Sequence, residues 1–256
     1  MTETAMFVAD GDLYRPLGPA KGYWTRDSMH GRALVGLIGY EIDRLYGADG
    51  LIPARFNVDL HRLAPFGPVR VETNLLRDGG RLRLVEAIVY IGDVEYARGQ
   101  CQLLRPATAP GGRVWAPDPW DAPDPETIDP SDDPKRRGLA EWRVVKGGFR
   151  EYGPRWIWTR EYHQLVEGVP LSPWTRVALS SDFGSPWAHM SDDGIHYINT
   201  DVIVQLHRLP VDEYLGYEAT GHEASNGIAI GNCRLYDRQG PIGYVSATAL
   251  SNVRRR

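Results

Sequence analysis

The stretch Tyr197-Ile-Asn-Thr-Asp-Val-Ile-Val-Gln-Leu-His-Arg-Leu-Pro210 decides how the chain is read, because it has an earlier echo in Phe56-Asn-Val-Asp-Leu-His-Arg-Leu-Ala-Pro65. Both copies carry Asn-x-Asp, then His-Arg-Leu, then a proline. The segments downstream of the two copies match as well. Val69–Leu76, Arg81–Ile91 and Val94–Leu104 alternate apolar and polar residues between Gly-rich turns, as half-buried strands do. Glu213–Thr220, Ile228–Tyr236 and Ile242–Val253 do the same after the second copy. A long-period repeat present only twice is no solenoid; it is one domain plan used in tandem.

Working outward, Leu34, Leu37, Ile38, Ile42 and Leu45 recur at helical spacing before the first copy, and Gly47 stops the run. This predicts a helix over His30–Tyr46, capped by Asp27 or Ser28. Gly36 and Gly39 lower its helix propensity, so another backbone is expected close against that face. Before the second copy, Ser172 or Pro173 opens a helix that runs into Ser181-Asp182-Phe183-Gly184, preceded by strands at Trp142–Phe149 and Trp156–Leu165. Between the halves, residues 106–138 hold eight of the 19 prolines, and seven acids lie between Asp118 and Asp133. Proline fixes φ and removes amide donors, so this segment reads as an acidic linker, tacked down at Trp115 and Trp120. The expected division is 1–105, a linker over 106–139, and 140–256, in the α+β class: each half a central helix wrapped by an antiparallel sheet.

Composition sets bounds. The chain has 256 residues, is 42% hydrophobic and 24% charged, and carries a formal net charge of −4. That offers no basic field for nucleic acid. The Arg254–Arg256 tail reads as solvated. No charged-then-apolar leader and no 18-residue apolar run are present, so no membrane partner is expected. Two cysteines, Cys101 and Cys233, make no disulfide framework and show no metal spacing. The expected setting is cytoplasmic, with no metal, and the chain is compatible with a homo-oligomer.

Ordered together, these pieces resemble the double hot-dog acyl-CoA thioesterases of the medium-chain type II group. The resemblance rests on Met29-His-Gly-Arg-Ala-Leu-Val-Gly-Leu37, Pro53-Ala-Arg-Phe-Asn-Val-Asp-Leu60 and Leu75-Leu-Arg-Asp-Gly-Gly-Arg81. It continues in Ser181-Asp-Phe-Gly-Ser185, Ile198-Asn-Thr-Asp201, Leu206-His-Arg-Leu-Pro210 and Leu235-Tyr-Asp-Arg-Gln-Gly-Pro-Ile-Gly243. It covers nearly all the chain except the linker. It implies a tandem double hot-dog fold, an acyl-CoA or acyl-carrier thioester as substrate, and no cofactor. It also implies an Asp on the second helix, a Thr or Asn on the following strand and a Gln on the last strand, acting together on a water. These fall on Asp182, on Asn199 with Thr200 beside it, and on Ala247 or Thr248. No Gln follows Gln239, so the Thr248 hydroxyl is expected to hold the water in place of an amide. His30 and Gly31, at the start of the first helix, and Gly184 are expected to bind substrate, the helix amides facing the carbonyl.

Each residue also has a plainer reading. Asp182 suits a helix end before Gly184. Asn199 and Asp201 suit strand pairing or a turn, and Thr248 is a common β-former. His30 can serve a loop. The repeated His61-Arg62 and His207-Arg208 suit a shared fold role. Trp156, Trp158, Trp174 and Trp187 suit the core. Two other functions therefore stand beside hydrolysis: binding of a thioester or apolar ligand without turnover, and a dehydratase-like lyase reaction through His30.

Overall fold

The two echoing stretches fold into adjacent strands of one sheet. β3 (Ile52–Leu60) and β11 (Asp201–Leu206) run antiparallel, with Asp59 opposite Asp201, Asn57 opposite Ile203 and Phe56 opposite Val204. Phe56, Val58, Val202 and Val204 are buried on one face, as the period of two requires. The computed structural model in which this is seen describes residues 4–25, 27–47, 49–131 and 139–252. The Arg254–Arg256 tail, Val253 and residues 132–138 of the expected linker lie outside the described residues.

Each of the two strands brings its own meander. β4 (Arg70–Asp78), β5 (Leu82–Ile91) and β6 (Val94–Leu104) give the order β4-β5-β6-β3. β12 (Leu215–Ser225), β13 (Ile228–Asp237) and β14 (Gly240–Ser251) give β11-β14-β13-β12, and β8 (Trp156–Glu161) and β7 (Ala140–Lys146) extend that end. A short β10 (Tyr197–Asn199) also pairs with β14, so the predicted Tyr197–Pro210 strand is broken at Thr200. The result is a single sheet of eleven strands. A second, three-stranded sheet joins β1 (Ala5–Asp10), β2 (Leu13–Pro16) and β9 (Gln164–Val166).

The long sheet curls around α1 (Gly31–Tyr46) in the first half, and around α2 (Pro173–Ser181) and α3 (Gly184–His189) in the second. This is the tandem plan expected, with α1 and α2 packed against each other. The two helix glycines explain how closely. A Cβ on Gly39 would lie 2.3 Å from the Ala178 Cβ, and one on Gly36 would lie 3.1 Å from Leu165 and Leu179 side-chain atoms. The backbone foreseen against that face is α2.

Two expectations need correction. Neither Asp27 nor Ser28 caps α1. The N-cap is His30, which supplies no side-chain bond, while Ser28 Oγ donates to the Thr25 carbonyl and Met29 N donates to Ala64 O. The chain enters α1 already tied to the loop after β3, so the cap residue falls two positions later. Trp115, expected as a tack, is exposed. Trp120 is the anchor: its ring stacks on Tyr236 at 4.3 Å and packs on Trp158, over a glycine (Gly216) whose Cβ would lie 2.3 Å from it. Carbonyls of Pro117 and Asp118 accept from Arg234, that of Pro123 from Trp158, and those of Pro125 and Ile128 from Arg143. The proline-rich segment is thus held along the outer face of the second half by guanidinium and indole donors.

The α1–α2 contact gives a direct test. Gly39→Ala should destabilise the protein by about 1–3 kcal/mol, several degrees of Tm, because the added methyl meets Ala178. Gly80→Ala, where nothing lies within 4 Å, should leave Tm nearly unchanged in the same thermal melts.

Candidate active site

Asp182 lies where α2 gives out. Ser172 Oγ accepts from Thr175 N and Pro173 fills the first helical position, both favourable starts. The helix ends at Asp182 and resumes at Gly184, which packs so tightly on β14 that a Cβ would lie 2.6 Å from a Val245 methyl carbon. At this break between helices the buried Asp182 carboxylate lies beside the start of α1. Asn199 Nδ2 donates to Asp182 Oδ1 at 2.8 Å. Asp182 Oδ2 lies 3.7 Å from His30 Nδ1. A Cβ on Gly31 would be 3.4 Å from Asp182 Oδ1 and 3.4 Å from a Leu60 methyl carbon, so the start of α1 lies within contact distance of the carboxylate.

The first amides of a helix have no acceptor within it. At α1 no side chain caps them and no acid sits in the first turn. The positive end of α1 therefore faces the Asp182 carboxylate. Of the residues singled out from sequence, Asp182, Asn199, His30 and Gly31 converge here, the first two from the second half and the last two from the first.

Thr200 and Thr248 do not reach the carboxylate. Thr200 donates from N (2.9 Å) and Oγ1 (3.2 Å) to the Thr248 carbonyl, and its own carbonyl accepts from Leu60 N at 2.8 Å. It forms the break between β10 and β11. Along β14, Val245, Ala247 and Ala249 are buried while Tyr244, Ser246 and Thr248 are more open. Asn199 pairs with Ala249, and antiparallel partners share a face. Asn199 therefore points inward with Ala247, and Thr248 points outward. The outer face carries Asp201 instead, whose Oδ1 accepts from Thr248 N at 2.5 Å. Burial raises the Asp201 pKa, helped by the nearby charge of Asp59 and opposed by the Thr248 bonds. Gly184 serves the packing of α3 rather than lining the Asp182–His30 gap.

His30 packs edge-on to the exposed Tyr23 ring, with centroids 5.5 Å apart. Burial lowers its pKa to about 4, against the pull of the Asp182 charge. It is neutral near pH 7.

The other end of the helix pair is built differently. The start of α2 meets the end of α1, where Ser172 Oγ lies 2.6 Å from Asp43 Oδ2, and Pro173 has no amide hydrogen to offer. A surface cleft of about 320 Å³ lies elsewhere in the first half, lined by Tyr14, Glu41, Arg44, Arg70 and Glu72 among others. Its charges are paired with one another, Arg44 with Glu41 and Arg70 with Glu72. It shares no residue with the Asp182 site.

His189, not singled out from sequence, is 3% exposed at the end of α3.

Residues 114–250 match the family model described as the acyl-CoA thioesterase C-terminal domain. The chain belongs to that family. It is thus an acyl-thioester hydrolase in the general sense, of double hot-dog fold. Solved structures agree on the fold. A TesB protein of Mycobacterium avium subspecies paratuberculosis superposes with a TM-score of 0.73 at 16% identity, over 97% of this chain and 96% of that one. An acyl-CoA thioesterase II, TesB2, of Mycobacterium marinum gives 0.66 at 15% identity, over 94% and 93%. A hot-dog protein of unknown function from Alicyclobacillus acidocaldarius gives 0.76 at 12% identity, over 99% and 98%. No curated protein sequence matches the chain. Among the described residues, no helix of this thioesterase is long and apolar enough to cross a membrane, and no group of three or more His, Cys, Asp or Glu side chains could hold a metal.

Burial makes two histidines sensitive to acid. His30 and His189 both titrate near pH 4 in the fold, against an ordinary 6.5. Between these values the unfolded chain binds more protons than the folded one, so stability present at pH 7 is lost as pH falls from about 6.5 to about 4. Urea midpoints should drop across that window, and His30→Gln should flatten the fall.

Proposed function

We propose that the protein hydrolyses acyl-CoA or acyl-carrier thioesters, with Asp182 as the general base. One observation carries this reading: a buried carboxylate, fixed by the Asn199 amide, facing the uncapped amide end of α1 at Gly31. A helix terminus with free N–H groups suits an oxyanion, and a carboxylate beside it suits a water.

The distances support the following roles. The substrate carbonyl carbon sits between Asp182 and Gly31, its oxygen toward the α1 amides. Asn199 occupies Oδ1, which leaves Oδ2 on the His30 side to take a proton from water. The hydroxide adds to the carbonyl carbon, and the negative charge moves onto the oxygen at α1. Collapse breaks the carbon–sulfur bond, and the departing thiolate takes the proton from Asp182. Acid and thiol leave, and the carboxylate is restored. Neutral His30 and the exposed Tyr23 form the outward side, where the carrier arm enters. Thr200 and Thr248 hold the backbone break that aims Asn199; they position the site without touching the water.

A second reading, thioester binding without turnover, is favoured by Ala247, which offers only a methyl on the inward face of β14. The two readings part on free-thiol release from an acyl-CoA panel. Wild type should release thiol, and Asp182→Asn should lose roughly 10²–10⁴-fold in kcat. Release by Asp182→Asn at the wild-type rate would remove Asp182 from the chemistry, and no release by wild type would favour the binder. Asn199→Ala should lose about tenfold or more, since the carboxylate is then free to turn. Thr248→Val should stay within a few-fold of wild type, because its side chain points away from Asp182 and its backbone amide still bonds Asp201.

A further inference from the structure

The outer face of the long sheet, away from the helices, carries a group of exposed apolar side chains in the second half. Ile203 of β11, Tyr244 and Leu250 of β14, and Ile228 and Ile230 of β13 are each between 36% and 54% exposed. The strand register makes them neighbours on one face. Single apolar side chains on a surface are ordinary, but a contiguous set marks a contact site. The chain covers the adjoining part of this face itself, where Trp120 lies on Tyr236. Beside that cover Trp115 is 85% exposed and Val114 95%, a few residues before the Asp118 carbonyl that accepts from Arg234.

The polar residues around the group decide what fits on it. One rung carries no charge: Gln100, Asn57, Ile203, Ser246 and Asn232 pair in that order across β6, β3, β11, β14 and β13. Two residues to one side stand Asp59 and Asp201, opposite each other on β3 and β11. Arg98, the other neighbour of Asp59, is taken up by Glu86 and Glu95. Two residues to the other side stands Arg55, exposed and paired with no carboxylate among the described residues. A cation and two carboxylates thus flank a neutral rung at equal distances, and such a face complements itself.

A second copy laid face to face, about a twofold axis along the neutral rung, turns each strand onto its own image in reverse. Arg55 of each copy then faces Asp59 and Asp201 of the other. The Val114–Trp115 stretch beside Arg234 comes onto Ile228, Ile230 and Leu250 of the second copy, since Arg234 and Ile230 lie two residues to either side of Asn232. Facing sheets pack about 10 Å apart, a gap that side chains from both layers fill.

We propose that the chain forms a twofold dimer through this outer face, centred on Ile203 and Ser246, with Trp115 of each copy seated on the Ile228–Ile230–Leu250 corner of the other. The contact is isologous, so the Arg55–Asp59 pairing and the Trp115 seat each occur twice. The face lies on the far side of the sheet from Asp182, so the dimer does not depend on the hydrolysis chemistry.

Sedimentation velocity on the full chain tests this. Wild type should sediment as a dimer at micromolar concentration. Ile230→Glu, checked for folding by its thermal melt, should sediment as a monomer. Arg55→Glu should raise the dimer Kd about ten- to a hundredfold, because the new carboxylate faces two others. Adding Asp59→Arg to Arg55→Glu should recover most of that loss, which a merely structural role for Arg55 would not do. Trp115→Ala should raise the Kd about tenfold or more, as loss of a buried aromatic anchor does. A monomeric wild type overturns the proposal, whatever else binds the face. So does an Ile230→Glu protein that remains dimeric, a charge-swapped double variant no tighter than Arg55→Glu, or a Trp115→Ala dimer as tight as wild type.

Discussion

Everything in the site depends on how closely α1 and α2 lie. Gly39 opposite Ala178 and Gly36 opposite Leu179 are successive contacts along one helix pair, each with little or no room for a side chain on α1, and Gly31 stands beside Asp182 at the start of the same helix. Trp174 adds a bond from its indole nitrogen to the Gly39 carbonyl at 3.0 Å. Glycine inside a helix weakens it by roughly 0.5–1 kcal/mol per residue relative to alanine. Here that loss is offset by burial of the apolar faces of both helices against the sheet and each other. The same closeness puts a carboxylate of the second half beside the first turn of α1, which neither half could arrange alone.

The two helices are opposite in chemistry at their ends. At one end a helix begins on a histidine without a side-chain cap and faces a carboxylate. At the other a helix begins on a capping serine and a proline, so its first amide is absent and a later one is answered within the helix. A duplicated plan supplies two places where a site could stand. Capping chemistry leaves only one of them open.

The outer face of the second half is finished by the chain itself. The aromatic surface formed by Trp158, Tyr214 and Tyr236 would be exposed on a bare sheet, and Trp120 covers it while Arg143, Arg234 and Arg238 hold the acidic, proline-rich segment by its carbonyls and carboxylates. Prolines suit this duty. They lack the amide donors that an irregular backbone would otherwise have to satisfy, and they keep it extended.

Much of this was legible from residues alone. The repeat around Asn57 and Asn199, the alternation along the meanders and the helical spacing from Leu34 to Leu45 follow from local periodicity, which the chain carries in full. The glycines of α1 announced a close neighbour, and the resemblance led to Asp182 and Asn199. The sequence could not say which face of β14 each residue takes. One extra residue at Thr200 reverses the alternation between β11 and β10 and sends Asn199 inward, and a shift of one position moves a whole strand's side chains to the other face. Nor could it place His30 as the helix cap, set Trp120 rather than Trp115 on the aromatic face, or bring His189 over Gly231. Those depend on contacts between residues far apart in the chain, and only the folded packing of sheet on helix decides them.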